Sequence, residues 1–199
     1  MTKLFILRHG QTESNVRGTY LGHTDIPLNE TGQHQAKELG KRLSTVCFDA
    51  VYTSPQQRAI ETAQQVICQQ KSPLVMKMND GLRERDFGIF DDLTHEEIQK
   101  KYPKELSCWL EDWIEYQIPK GESAREVQNR VGDTLDKIIA ENKGRTVAVV
   151  THLGVLRHAI AYLLKLDIAD AWHFTAKNCS VCKLYIDDNQ FAVLTALNA

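Results

Sequence analysis

Two short apolar runs in this chain each stop abruptly at a histidine. Leu4-Phe5-Ile6-Leu7 gives way to Arg8-His9-Gly10, and Val147-Ala148-Val149-Val150 gives way to Thr151-His152-Leu153-Gly154. Runs this short, apolar throughout rather than alternating, read as strands covered on both faces, the pattern of a parallel sheet. Ligands of such sheets sit beyond the carboxyl ends of the strands, where both histidines fall. Gly10 lets the backbone turn sharply or lie close to a ligand. Arg8 carries a forked donor that matches phosphate geometry, and a neutral imidazole beside it can attack phosphorus. Read alone, Arg8-His9-Gly10 fits a solvated strand end equally well, so the rest of the chain has to decide.

Further strand-like runs at 49–53, 73–78, 181–186 and 191–197 alternate with helical segments. Asn29 is an N-cap candidate ahead of a helix whose Ala36, Leu39 and Leu43 share one face. Residues 56–69 form a second helix, and 94–115 read as two short helices broken near Pro103. The clearest helix spans 123–142, with the stripe Val127, Val131, Leu135 and Ile138 and the outer pairs Glu126/Arg130 and Asp133/Lys137. Another amphipathic helix follows over 153–165, and the last two strands suit an antiparallel edge. Alternation of this kind implies an α/β fold with helices on both faces of a mostly parallel sheet. With 199 residues, 42% of them hydrophobic, the chain can bury a full core as a single domain over 1–199.

A net charge of −2 argues against a nucleic-acid partner while leaving room for a few local arginines to bind a small phosphate ester. The apolar stretch 4–7 is too short for a secretory signal, and no segment approaches the ~18–20 apolar residues of a membrane span, so a cytoplasmic location without membrane contact is expected. Five scattered cysteines suit reduced thiols. Cys179-Ser-Val-Cys182 opens a strand, where positions three apart face opposite sides, and no second such pair completes a zinc site; buried or half-buried thiols are the better reading.

Five separated motifs then follow in order: Arg8-His9-Gly10-Gln11-Thr12-Glu13-Ser14-Asn15; Gly22-His23-Thr24-Asp25-Ile26-Pro27-Leu28; Ser54-Pro55-Gln56-Gln57-Arg58-Ala59 with Thr62-Ala63; Leu82-Arg83-Glu84-Arg85-Asp86-Phe87-Gly88; and Val150-Thr151-His152-Leu153-Gly154. At these intervals the chain resembles the histidine phosphatase superfamily, also called phosphoglycerate-mutase-like, from about residue 3 to its end. The resemblance implies a three-layer α/β/α sandwich in which about 85–122 forms a small cap over the site. It also implies a phosphohistidine formed on His9, with Arg8 and Arg58 as phosphate clamps and Asn15 as a neutral donor. His152 would donate to the phosphoryl oxygens beside the backbone N–H groups of Leu153 and Gly154 at a helix start, and Thr24 falls in a substrate-binding segment. Arg8 and Arg58 should keep the His9 ring neutral, and its second nitrogen should donate to a backbone carbonyl. Glu84 aligns with the general acid, a role that partial burial and the substrate's charge would favour. Asp86 competes for it, and a surface carboxylate or an ion pair with Arg83 or Arg85 is the plain alternative for Glu84. His23, His34, His95 and His158 read as surface or structural, and His173 is open. No metal and no cofactor are expected, since the arginines supply the charge a metal would.

One departure stands out. The family usually continues Phe-Gly-x-Trp-Glu-Gly, whereas this chain has Phe87-Gly88-Ile89-Phe90-Asp91-Asp92, in which Asp92 replaces a turn glycine. An Asp can take the left-handed conformation there at some cost, and the change bears on the exact seat of Glu84 rather than on the presence of an acid. Three functions fit these motifs: a phosphomonoester hydrolase, a mutase with the same phosphohistidine, and a binding module without catalysis. A nucleophile and an acid together disfavour the last. The mutases of the family carry a longer, more basic insertion after the acid motif than the 93–120 segment here, so hydrolysis is favoured. Trp109 and Trp113, then Ile118-Pro119-x-Gly121-Glu122-Ser123 and Ala171-Trp172-His173-Phe174, are similar to α-ribazole-phosphate phosphatases of cobalamin assembly. A broad-specificity sugar or amino-acid phosphate phosphatase is the alternative within the hydrolases. The two tryptophans lie four apart, on one helical face that suits stacking on a base-like substrate and suits core packing equally. The expected partner is a small-molecule phosphate ester, with a homodimer left open.

Overall fold

The computed structural model describes residues Met1–Ala199. Six strands form one sheet: β1 (Thr2–Arg8), β2 (Ala50–Thr53), β3 (Met76–Met78), β4 (Thr146–Thr151), β5 (Val181–Ile186) and β6 (Ala192–Ala196), in the order β3-β2-β4-β1-β5-β6. The first four in that order run parallel, while β5 and β6 are antiparallel to their neighbours. The sheet is therefore mixed, mostly parallel with the expected antiparallel pair at one end. Alternate residues of β1 enter opposite cores: Leu4 and Ile6 pack in one hydrophobic cluster, Phe5 and Leu7 in the other. Helices α6 (Ala124–Glu141) and α7 (Leu153–Leu163) cover the first face, and α2 (Glu30–Leu43) and α3 (Gln57–Ile67) the second. This is the three-layer α/β/α sandwich.

Register decides where the chemistry sits. Arg8 of β1 lies opposite Thr151 of β4, so the next residues, His9 and His152, leave the same sheet edge side by side. The backbone N–H of His9 donates to the Thr151 carbonyl at 2.9 Å.

Asn29 caps α2 as expected, accepting from the Gly32 N–H. The 94–115 region forms α4 (His95–Lys101) and α5 (Pro103–Glu111), with Pro103 in the first turn, where its missing N–H costs nothing. Trp113 lies beyond α5, so it does not share a helical face with Trp109. The third strand is shorter than 73–78, because only Val51–Thr53 of β2 are there to pair with it. Helix α1 (Glu13–Arg17) and the 3-10 turns at Asp80–Leu82, Gly88–Phe90 and Ile168–His173 were not anticipated.

Two further expectations are corrected in α6. The Glu126 carboxylate turns back to the Ser123 N–H in a capping box and leaves Arg130 free to pair with Glu122 instead; Asp133 and Lys137 form no ion pair. Cys179 and Cys182 are buried in opposite clusters, and burial pushes both thiols up to about 12, as suits inert core residues. Asp92 takes the left-handed conformation (φ 54°), and its carboxylate accepts from Ser14, Thr19 and Arg17. A third cluster, Phe90, Ile98, Leu106, Trp109 and Ile118, packs the segment after the acid motif. No helix is long and apolar enough to cross a membrane.

Candidate active site

The cavity beyond the sheet edge has a volume of about 320 Å³. Arg8, His9, Asn15 and Glu84 line one part of it, and Tyr20, Phe87, Trp109, Trp113 and Trp172 form aromatic walls.

His9 is only 4% exposed. Its Nδ1–H donates to its neighbour's carbonyl, Gly10 O, at 2.6 Å, which fixes the tautomer and leaves Nε2 as the nucleophilic nitrogen. Burial first, then the charges of Arg58 and Arg8, hold the ring well below the usual histidine range, so it is neutral near pH 7. The carbonyl of His9 accepts from the Asn178 amide at 3.0 Å, anchoring the turn.

Arg8 faces the cavity with one Nη1 bond to Ala176 O at 2.6 Å, while its buried Nε has no protein partner. The Asn15 Oδ1 accepts from the Thr12 N–H and from Asn178, which leaves its amide Nδ2 for a ligand.

Arg58 and His152 lie deeper. Both are fully buried and neither lines the cavity. The Nε–H of Arg58 donates to His152 Nδ1 at 3.2 Å, and its two Nη atoms donate to Thr24 O and Gly22 O. His152 Nε2 is bonded to Ser54 Oγ at 2.8 Å, so both ring nitrogens are engaged by the protein. Its ring centroid lies 5.1 Å from that of His9. Burial lowers Arg58 to about 10, which keeps it charged, and that charge backs the nucleophile from below.

Glu84 is 8% exposed. Its two oxygens accept from the backbone N–H groups of Arg85 (2.9 Å) and Gly154 (3.0 Å). The Gly154 N–H is thus spent on the acid, not on a phosphoryl oxygen as the sequence suggested. Leu153 and Gly154 do line the cavity. Asp86 is absent from the lining; its carboxylate meets His23 at 3.3 Å. Thr24 is exposed and outside the cavity, with its N–H and hydroxyl donated to Asp91; it acts through the carbonyl that holds Arg58.

Sequence reasoning missed Arg85, Arg157 and His158 as cavity residues. The buried Arg85 lies 5.7 Å from the ring centroids of both Phe87 and Trp109, and Arg157 lies 4.5 Å from that of Trp172. Trp172 also meets Trp113 edge-on. His158, read as surface or structural, is buried on the cavity wall with Nδ1 on Gln128; burial, helped by Arg85, Arg130 and Arg157, lowers it to about 4. The available signal was the pair Arg157-His158 interrupting an otherwise apolar helix.

The sequence model described as "Histidine phosphatase superfamily (branch 1)" matches residues 4–199. The chain is 33% identical to phosphoserine phosphatase 1 of Hydrogenobacter thermophilus over 98% of this chain and 91% of that one. It is also 33% identical to the adenosylcobalamin/alpha-ribazole phosphatase of Escherichia coli, over 99% and 96%. The solved structure of the alpha-ribazole phosphatase from Shigella flexneri superposes with a TM-score of 0.91 at 31% identity, covering 99% of this chain and 96% of that one.

Proposed function

Because this chain belongs to the histidine phosphatase superfamily, we propose that it hydrolyses phosphomonoesters through a phosphohistidine on His9. The observation that carries this reading is the pairing of a free Nε2 on a neutral, buried imidazole with a carboxyl group held by two backbone N–H groups in the same cavity. Nε2 attacks phosphorus; the ester P–O bond breaks as the Glu84 carboxyl passes its proton to the departing alkoxide. The Glu84 carboxylate then takes a proton from water as that water attacks the phosphohistidine; the P–N bond breaks and inorganic phosphate leaves. Arg8 and Asn15 hold the phosphoryl oxygens while charge spreads over them, with the Arg58 charge behind. His152 serves as the link that orients Arg58 beneath His9.

For the substrate, the aromatic walls favour a leaving group with a flat ring, such as α-ribazole 5′-phosphate. A volume near 320 Å³ sits at the lower end of the ~300–1,000 Å³ range of small-molecule sites, enough for a nucleoside-sized group. Arg85 and Arg157 on the same walls favour a second reading, a small carboxylate-bearing ester such as phosphoserine. The segment around 85–122 acts as the cap that brings Phe87, Trp109 and Trp113 over the phosphate. Steady-state kinetics on α-ribazole 5′-phosphate, phosphoserine and 3-phosphoglycerate test the assignment. The highest kcat/KM is expected on the first; phosphoryl transfer between positions of phosphoglycerate with negligible release of inorganic phosphate would overturn the hydrolase reading.

A further inference from the structure

The acid motif is held from behind by a residue that never reaches the cavity. Arg130, in α6, has five N–H donors, and each one is used. Nε donates to Glu122 Oε1 and Nη2 to Glu122 Oε2, both at 2.7 Å. Nη1 donates to Gly81 O at 3.0 Å and Arg83 O at 2.8 Å, and the second Nη2 donor goes to Glu84 O at 3.1 Å. The partner carboxylate closes the frame, because Glu122 Oε2 also accepts from the Asp86 N–H at 2.9 Å. One ion pair therefore spans the backbone from Gly81 to Asp86, with Glu84 at its centre. Arg130 does not line the cavity, so its charge is not there to bind substrate.

We propose that Arg130, locked by Glu122, is the positioning residue for the general acid: its planar fork sets the backbone from which the Glu84 carboxyl reaches the leaving group. Lysine cannot replace it, since an ammonium has three donors and no fixed plane. The inference rests on reading Glu84 as the acid.

The test compares kcat for an alkyl phosphate, whose leaving group needs a proton, with kcat for p-nitrophenyl phosphate, whose leaving group does not. The proteins are wild type, R130K, E122Q, E84Q and the double variant E84Q/R130K. A displacement of the acid by about an ångström is expected to slow the alkyl phosphate by about 10- to 100-fold in R130K, with the aryl phosphate within about threefold and KM unmoved. E84Q/R130K should be no slower on the alkyl phosphate than E84Q, because the two changes remove one function. Equal losses on both substrates in R130K, or additive losses in the double variant, would overturn the proposal. Should R130K fail to fold, E122Q keeps every atom of Arg130 and turns one of the two acceptor oxygens shared by Arg130 and the Asp86 N–H into a donor, which loosens the same frame; the same substrate split is expected, and its absence counts against the proposal. If E84Q itself shows no substrate split, the acid assignment fails and this inference falls with it. A split in E84Q without one in R130K and E122Q overturns the inference alone.

Discussion

Gly154 is the position where a single methyl group should disable the acid without unfolding the protein. A Cβ built there would lie 2.4 Å from Glu84 Oε1, closer than non-bonded atoms approach, and in tight contact with Glu84 Cδ at 3.2 Å. The obstacle is the free end of a side chain rather than backbone, so in Gly154→Ala the carboxyl should yield and the helix should not. Relieving the contact takes roughly an ångström of movement, enough to break the 3.0 Å bond from the Gly154 N–H. Misplacement of a catalytic group by that distance costs on the order of 10²-fold. Alanine is the better helix former by about 0.5–1 kcal/mol, so α7 should not be weakened. Expected, then, is a loss of about 10²-fold in kcat for an alkyl phosphate, a much smaller loss for p-nitrophenyl phosphate, and a melting temperature close to that of wild type. The two kinetic assays and a thermal melt suffice. An alanine variant that keeps wild-type alkyl phosphatase activity would show that the Gly154–Glu84 contact does not hold the acid in place.

His9→Ala should fold normally and lose turnover; in wild type, rapid quench during turnover should trap an acid-labile, base-stable phosphoenzyme, and retention of a tenth of the activity without His9 would refute covalent catalysis. Activity should survive exhaustive chelation, whereas loss with EDTA and recovery with a divalent ion would count against an arginine-based site. His9, His152 and His158 are all held below their unfolded value, so their ring nitrogen NMR shifts should remain those of the neutral ring at about pH 6. For a base with a depressed folded pKa, stability is complete above the unfolded value near 6.5 and falls as pH drops towards the folded one. With His158 at about 4, its share is about 2 kcal/mol by pH 5 and about 3 kcal/mol by pH 4. His158→Gln should therefore gain on wild type in urea unfolding as the pH falls, and a pH-independent difference would refute the assignment.

What could be read from the chain before its fold was known divides along a physical line. His9 and His152 were legible because each ends an apolar run, and parallel pairing in register brings such ends together. The requirement that Asp92 be left-handed was legible too, because backbone conformation is local; that its carboxylate would gather Ser14, Thr19 and Arg17 was not. Arg130 shows why local arithmetic fails. Glu126 stands four residues before it, yet the capping box claims Glu126, and a bidentate partner eight residues away takes the guanidinium. Helical spacing names which residues can meet, but competition for donors decides which do. The same holds for Trp113, whose spacing from Trp109 suggested a shared face until the helix ended at Asp112, so that it meets Trp172 from another part of the chain. Thr24 and Gly154 follow suit. Motif alignment marked both as ligand contacts, whereas one holds Arg58 through its carbonyl and the other holds Glu84 through its N–H. A motif records that a position matters to the phosphate; only the hydrogen-bond partners tell whether it touches the substrate or holds the residue that does.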